Sequence, residues 1–302
     1  MIDWPAIETP GAPPRRELGA ALAYGGAFAV VLVLVPAHAL SPVGNAMAIA
    51  VVAIVLLTLA LRVRGWPGVV AASVVIVGAF EVSLKAEPLL PAALRTVSLY
   101  QISDVASGLA LGAKRIVLLG PAALIAAIVC LSRPAARLRF REAMSPGTWS
   151  GGIRWPLPWW GVPAMPLWLF FGISLPLLIV GFLPLINWGA TTARWETLSP
   201  GVWTLIPVLA VLNATLEEII FRAGLLSVCA ERLSAESATI PVALVFGFAH
   251  FSGGVPDGLL GAALLSGGSF FLGYFVLIQR GLSGAIVWHA TADIIVLAFV
   301  IG

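Results

Sequence analysis

The chain has few charged residues for its length. Of its 302 residues only 10% are Asp, Glu, Lys or Arg, whereas 60% are hydrophobic. Soluble globular domains carry about 25% charged residues, so the composition excludes that class. Apolar runs of about 18 residues or more recur along the chain, and each could cross a bilayer as a helix. The sequence therefore predicts an all-α fold, a polytopic transmembrane helical bundle.

Cysteine and lysine are scarce as well. Cys130 and Cys229 are too few for a disulfide framework, and in predicted helices they are expected to act as small buried hydrophobic residues. Only Lys85 and Lys114 of the 17 basic residues are lysine, a bias that favours a GC-rich, bacterial source and hence the bacterial inner (plasma) membrane. The net charge of +3 comes from loop arginines, so it indicates membrane topology and excludes nucleic acid as the implied partner.

About nine spans account for the apolar runs. A polar tail at residues 1–17 precedes an N-terminal four-span bundle at 18–132, and the C-terminal helical core covers 165–302. Within the first bundle, residues 86–115 are mixed in character and are predicted to be an interfacial or partly re-entrant connector that does not cross. The predicted spans are residues 18–40, 45–61, 67–84, 116–132, 165–186, 202–230, 237–251, 259–279 and 282–301.

A basic, Trp/Pro-rich connector at residues 133–164 separates the two halves. Cytoplasmic loops of membrane proteins carry an excess of Lys and Arg, so the arginine count places this connector in the cytoplasm. The loop at 187–200 has Arg194 as its only basic residue and is predicted to lie on the opposite side of the membrane. The arginines of the connector are Arg133, Arg137, Arg139, Arg141 and Arg154.

Polar residues inside the C-terminal spans are few and stand out against their surroundings. A charged side chain at the centre of a membrane helix costs roughly 2.5–3.5 kcal/mol on insertion scales, so each of these residues needs a partner or a role. The set lies on three predicted spans and comprises Asn213, Glu217, Glu218 and Arg222, then His250, then His289 and Asp293.

Helix geometry suggests which of these residues meet. Glu218 and Arg222 are four residues apart and share a face, so they can pair. Glu217 lies about 100° further round, on the face of Asn213, and is left facing a cavity. His289 shares a face with Asp293 in the same way, and so does Phe246 with His250.

Polarity alone leaves three interpretations open. In an enzyme, a carboxylate and a histidine would activate water, and a second histidine with a neighbouring polar group would stabilise an oxyanion. Alternatively Glu217, His250 and His289 would bind a metal such as zinc, although the sequence has no HExxH helix. In a transporter the same residues would relay protons or cations. The third interpretation is a satisfied polar network that only fixes helix packing.

Three short motifs change this balance. The segments EEIIFR at 217–222, FGFAH at 246–250 and HATAD at 289–293 occur in this order on separate apolar segments. The set resembles the EExxxR, FxxxH and HxxxN/D motifs of the CPBP family, the CAAX-protease and bacteriocin-processing or abortive-infection group of intramembrane proteases. The resemblance covers residues 202–302 and implies a peptidase whose partners are the lipid bilayer and a membrane-associated protein or peptide substrate.

The resemblance also implies roles. Glu217 and His250 would activate the attacking water, His289 and Asp293 would stabilise the oxyanion, and Glu218, Arg222, Phe246 and Asn213 would support them. Members are called metalloproteases, but a glutamate mechanism without metal is also argued, and the latter is our expectation. Family members that cleave prenylated proteins carry Asn in place of Asp293, and an ionised Asp cannot donate to an oxyanion, so an orienting role behind His289 is expected.

These inferences make a geometric prediction. Glu217, His250 and His289 should converge on one water-accessible cavity, several ångströms apart, although over seventy residues separate the first from the last. The alternatives to an active peptidase are a non-proteolytic membrane scaffold or immunity factor of the same family and, third, an ion-coupled transporter.

Overall fold

A computed structural model describes residues 65–97, 102, 104–147, 152–153, 165–166, 174, 199–251 and 258–300. The predicted tail and the predicted spans at 18–40 and 45–61 lie outside these residues. Of the predicted span at 165–186, only residues 165–166 and 174 are described. The described part is helical except for one two-residue antiparallel pair, β1 (Gly152–Ile153) with β2 (Met165–Pro166). Its helices are α1 (Trp66–Lys85), α2 (Ala92–Arg95), α3 (Val105–Ser132), α4 (Pro134–Ala143), α5 (Pro200–Cys229), α6 (Ala235–Ala249), α7 (Gly258–Gln279) and α8 (Ser283–Val300).

Four of the described helices are long and apolar enough to cross a membrane. They are α1, α3, α5 and α7, and the shorter helices α6 and α8 are apolar as well. This confirms the predicted class, an all-α integral membrane protein. The total of about nine spans stays a prediction, because three of the predicted spans lie outside the described residues.

Helix α3 corrects one predicted boundary. It begins at Val105, whereas the sequence predicted a connector up to residue 115 and a span from 116. A capping box starts it: the Ser107 amide donates to the Asp104 carboxylate at 2.8 Å, which lowers the pKa of Asp104. The buried charge of Lys114 in this helix is compensated, because its ammonium donates to Glu87 at 2.6 Å and to the Val97 carbonyl at 2.7 Å.

Residues 86–104, between α1 and α3, begin and end at the same side of the bundle, whereas residues 105–115 of the predicted connector belong to α3. Arg133, which follows the end of α3, donates to the carbonyl of Gly68 at the start of α1 at 3.3 Å. Those two helix ends therefore lie together, and α1 and α3 run antiparallel. The described residues between them form a 3-10 turn at Glu87–Leu89 and the single turn of α2.

Close glycine contacts join α3 to α5 along parallel axes. A Cβ on Gly108 would lie 2.3 Å from Leu205, one on Gly112 would lie 3.1 Å from Leu209, and one on Gly224 would lie 2.9 Å from Ala126. Without a Cβ, the two backbones approach closely enough for van der Waals packing to hold them. The described helices of the predicted N-terminal bundle thus share one hydrophobic core with the C-terminal helices. The predicted domain division stays a prediction.

The topology argument counted Arg133 as an exposed loop arginine, but it is buried at the junction of α3 and α4. Its side chain is buried and forms a two-pronged ion pair with Glu231, with Nε 2.7 Å and Nη2 2.6 Å from the carboxylate oxygens. The connector continues as the amphipathic helix α4, which exposes Arg137 and Arg141. Since Arg133 follows α3 and Glu231 follows α5, both helices end at the same side of the membrane.

The segment after α4 docks on the turn between α7 and α8. The Leu282 amide donates to the Ala143 carbonyl at 2.9 Å, and the Ser145 hydroxyl donates to the Arg280 carbonyl at 2.7 Å. Gly281 fits here because a Cβ would lie 2.4 Å from the Gly147 nitrogen. Arg280 adopts a left-handed conformation, φ 54°, to make the turn. These contacts bring α4 and the end of α7 together at one end of the bundle.

This arrangement sharpens the predicted topology into a test. With the arginine-rich side in the cytoplasm, a membrane-impermeant maleimide added outside cells should label Leu89→Cys and spare Arg137→Cys, because these exposed residues lie at opposite ends of the bundle. The two native cysteines are buried and should give little background. Labelling of Arg137→Cys with protection of Leu89→Cys would invert the assignment.

Candidate active site

The first motif lies where α5 changes its winding. Residues Ile219–Leu225 form a π-helical segment between the α-helical Pro200–Glu218 and Leu226–Cys229. Such segments widen the turn and occur frequently at functional sites. The Gly224 carbonyl accepts a hydrogen bond from the Cys130 thiol at 3.4 Å, so α3 supplies a partner to the altered backbone. The wide turn begins directly after the two glutamates.

Arg222 and Glu218 form a buried pair, as the spacing predicts. Arg222 Nη1 lies 2.9 Å from Glu218 Oε1, and both side chains are fully buried. Nη2 of the same guanidinium donates to Ser269 on α7 at 2.9 Å. The guanidinium carbon also lies 4.5 Å from the centre of the Phe246 ring, within cation–π range. Three helices therefore fix one arginine.

His289 is oriented by Glu218. Its Nδ1 donates to Glu218 Oε1 at 2.8 Å, the same oxygen that faces Arg222. Because the ion pair with Arg222 makes Glu218 the acceptor, the imidazole nitrogen on this side is the donor. The other nitrogen, Nε2, is left to face Glu217.

His250 is held by its own helix end. Its Nδ1 lies 2.8 Å from the Phe246 carbonyl, which can only accept, so this nitrogen carries the proton. In the neutral ring Nε2 is then an acceptor that faces Glu217. The Phe246 ring packs against both imidazoles, with centroid distances of 4.6 Å to His250 and 5.8 Å to His289. Phe246 therefore sets the distance between the two histidines.

Glu217 lies between the two histidines. Its Oε1 accepts from Asn213 at 3.2 Å, while Oε2 is 3.9 Å from His250 Nε2 and 3.8 Å from His289 Nε2. Both of those distances are too long for a hydrogen bond. Oε2 is buried and has no hydrogen-bond partner among the described residues. The three predicted residues thus converge on one gap, with 3.8–3.9 Å between the facing atoms, as expected from the sequence, while access of water to this gap stays a prediction.

Asp293 does not lie where the sequence predicted. Its Oδ1 is 3.7 Å from His289 Nε2, the nitrogen that faces Glu217, and its Oδ2 accepts from Asn213 at 2.9 Å. The position behind the ring, at Nδ1, belongs to Glu218. The expectation that Asp293 orients His289 from the side away from the gap is therefore wrong. The reason is tertiary: Arg222 turns the Glu218 carboxylate toward α8, and Asn213 draws Asp293 to the Glu217 side.

Two residues near the site were missed by sequence reasoning. Ser269 is not among the predicted site residues, yet its hydroxyl accepts from Arg222. Arg115 on α3 is near enough to Glu217 and Asp293 to act on both electrostatically. The sequence contains a signal that could have identified Arg115. It lies seven residues after Gly108 and three after Gly112, so it shares the helix face that packs against α5.

The predicted metal ligands have suitable chemistry but a wide spacing. Bonds of about 2.0–2.2 Å to a tetrahedral zinc ion would put neighbouring ligand atoms roughly 3.3–3.6 Å apart. The Glu217 oxygen lies 3.8–3.9 Å from the two histidine nitrogens. No group of three or more His, Cys, Asp or Glu side chains in the described segments meets the criteria of a metal site. The metal-binding role of Glu217, His250 and His289 stays a prediction.

Comparison with known families identifies the region that carries this site. Residues 199–295 match the family model of the type II CAAX prenyl endopeptidase Rce1-like proteins. The match covers about a third of the chain and includes every residue from Asn213 to Asp293 that forms the site. Comparison with curated proteins and with solved structures gives no match.

The Rce1-like match confirms the resemblance to CAAX-processing intramembrane proteases that the three motifs carry. It supports a peptidase over the transporter and packing-network interpretations. The helices α1, α3 and α4 lie outside the matched region, although α3 packs directly on α5 and places Arg115 near the site.

Proposed function

We propose that this protein is an intramembrane endopeptidase that hydrolyses a peptide bond of a membrane-associated protein or peptide. The observation that carries the proposal is the gap beside Glu217 Oε2, which faces the Nε2 atoms of His250 and His289 at 3.9 Å and 3.8 Å. A buried carboxylate oxygen without a hydrogen-bond partner in the described structure calls for a bound water or ligand as its partner.

Glu217 and His250 are the proposed water-activating pair. A water between Glu217 Oε2 and His250 Nε2 would have one acceptor on each side. As its oxygen attacks the carbonyl carbon of the substrate, Glu217 takes the proton and later delivers it to the leaving amine nitrogen. Asn213 holds the other Glu217 oxygen and so keeps the carboxylate aimed at the water. The products are a carboxylic acid and an amine, and the enzyme returns to its initial protonation state.

His289 is the proposed oxyanion donor. The carboxylates of Glu217, Glu218 and Asp293 surround its ring and favour the protonated imidazolium by their charge. With Nδ1 donating to Glu218, the Nε2 proton points into the gap, where the carbonyl oxygen develops negative charge. Asp293 contributes through the field at Nε2 and through Asn213, since an ionised carboxylate cannot donate a hydrogen bond itself.

The finer assignments follow from this scheme. Water activation needs only the carboxylate and imidazole groups in place, so we propose a glutamate peptidase whose activity survives strong chelators. The arginine-rich ends of the bundle favour an orientation with these ends in the cytoplasm. The scarcity of lysine among the basic residues favours a bacterial plasma membrane. In such a membrane a leader peptide or the terminus of a membrane protein is a more fitting substrate than a prenylated protein.

The experiment that tests the proposal compares membrane peptides from cells that hold the native protein with those from cells that hold Glu217→Gln. We expect peptides that accumulate uncleaved in the variant and are cleaved by the native protein, with or without a chelator. Identical peptide sets, with both proteins present in the membrane, would instead indicate the non-proteolytic scaffold or immunity role. Loss of cleavage on chelation would restore the metal interpretation.

A further inference from the structure

Two carboxylates of the site share one amide group. Asn213 Nδ2 donates to Glu217 Oε1 at 3.2 Å and to Asp293 Oδ2 at 2.9 Å, so both oxygens contact the same nitrogen and lie close together. Two like charges at such a separation repel each other strongly where little water screens them. A neutral amide does not offset that repulsion, so the pair needs a cation nearby.

The charges already described around His289 do not balance. Arg222 pairs with Glu218 at 2.9 Å and compensates that carboxylate. The imidazolium proposed for His289 bonds to Glu218 as well and lies 3.7–3.8 Å from the other two carboxylates. One guanidinium and one imidazolium face three carboxylates, which leaves the group one positive charge short. Arg115 on α3 is the described side chain that can supply it.

Arg115 lies at the level of the carboxylate pair. Three residues earlier on α3, Gly112 packs on α5 so closely that a Cβ would lie 3.8 Å from the Leu212 side chain. Because α3 and α5 run parallel, Arg115 is one turn further along and level with Asn213. The Asn213 amide reaches Asp293 on α8. The arginine, the amide and the aspartate therefore occupy one level of three neighbouring helices.

An apolar cluster holds α3 against both of the other helices. Leu111, one turn before Arg115 on the same face, is buried in one cluster with Ala214 of α5 and Ala290 of α8. Arg115 itself is half-buried. Among the described residues it forms no ion pair within 4.0 Å, so it acts on Glu217 and Asp293 through its field.

We propose that Arg115 is a positioning residue of the peptidase site, which offsets the repulsion between Glu217 and Asp293 and so keeps both on the Asn213 amide. Without that charge the two carboxylates would separate. Glu217 would lose the bond that aims it at the water, and Asp293 would move away from Nε2 of His289. Helix α3, which lies outside the matched region, thereby belongs to the working site.

The effect on cleavage rests on the proposed function, whereas the compensation of the two carboxylates does not. The test is therefore a double-mutant cycle between Arg115 and Asp293 with two readouts. Full-length protein in neutral detergent gives the unfolding temperature, and a peptide identified in the membrane comparison gives kcat and KM.

The cycle uses Arg115→Gln, Asp293→Asn and the double variant, with Arg115→Lys as the conservative change. Arg137→Gln is the matched control, since it removes an exposed arginine of α4. Asparagine is the neutral counterpart of aspartate and can still accept from the Asn213 amide through its oxygen.

Arg115→Gln should lower kcat about 10-fold with KM nearly unchanged, and it should lower the unfolding temperature. In the Asp293→Asn background the same change should alter kcat by less than about 2-fold and leave the unfolding temperature unchanged, because only one charged carboxylate then remains on the amide. Arg115→Lys should stay close to the native protein, since a charge that acts through its field does not need the shape of guanidinium. The Arg137→Gln control should match the native protein in both readouts.

Equal losses from Arg115→Gln in the two backgrounds would overturn the inference, because the arginine would then matter only through its own packing. An unaffected Arg115→Gln variant, or an Arg115→Lys variant as impaired as Arg115→Gln, would overturn it too. If Arg115→Gln gives no folded protein, recovery of folded protein in the double variant supports the inference, and no recovery overturns it. If the native protein cleaves no membrane peptide, the proposed function fails, while the unfolding temperatures still decide whether Arg115 compensates the pair.

Discussion

Replacing Glu217 by Gln is expected to lower kcat by about 10²–10⁴-fold while the protein stays folded, the range typical of losing a general base. Glutamine keeps the shape of the side chain and can still accept from Asn213 through its amide oxygen. It cannot take a proton from water. The loss should therefore fall on kcat, with unfolding temperature and membrane level unchanged.

The measurement is single-turnover cleavage of a peptide found in the membrane comparison, alongside thermal unfolding of the same preparations. Glu236→Gln is the matched control, since Glu236 is a partly buried carboxylate in the first turn of α6, at the end of that helix opposite His250. It should leave kcat and stability near those of the native protein. Full activity in Glu217→Gln would show that Glu217 is not the base.

Replacing Arg222 by Ala is expected to lower the free energy of unfolding by about 3–5 kcal/mol, and cleavage should be lost as well. The change leaves the Glu218 carboxylate fully buried without its counter-charge and removes the cation from the Phe246 ring. It also releases the carboxylate that orients His289. Folded protein recovered from membranes and the unfolding temperature measure the first effect, and cleavage by the folded fraction measures the second.

Ser269→Ala provides the graded control for Arg222→Ala. It removes one acceptor of the guanidinium and keeps the ion pair with Glu218, so its cost should be about 1–3 kcal/mol. Ser266→Ala, three residues earlier on the same helix, should have almost no effect, because that hydroxyl has no hydrogen-bond partner among the described residues. If Glu217→Gln and Arg222→Ala reduced folded protein equally, the site would be a packing network and not a catalytic one.

The membrane class, the positions of the described spans other than the start of α3, and the convergence of the site could be predicted from the sequence. The reason is energetic: in a chain that is 10% charged, an ionisable residue in an apolar run must find a partner or a cavity. Periodicity within one helix also suffices for the Glu218–Arg222 pair and for the Asn213–Glu217 bond, because residues four apart share a face.

Tertiary structure alone decided which carboxylate serves which histidine. Asp293 is four residues from His289, yet Glu218 from another helix bonds to Nδ1. Arg222 holds the Glu218 carboxylate in place and is itself held by Ser269 and Phe246. The early start of α3 has the same kind of cause, since Lys114 is neutralised by a bond to Glu87 that lies 27 residues away. Arg133 can be buried because it pairs with Glu231, which lies 98 residues later in the sequence. A pattern within one helix reports which side chains share a face, whereas partners that come from other helices depend on how those helices pack.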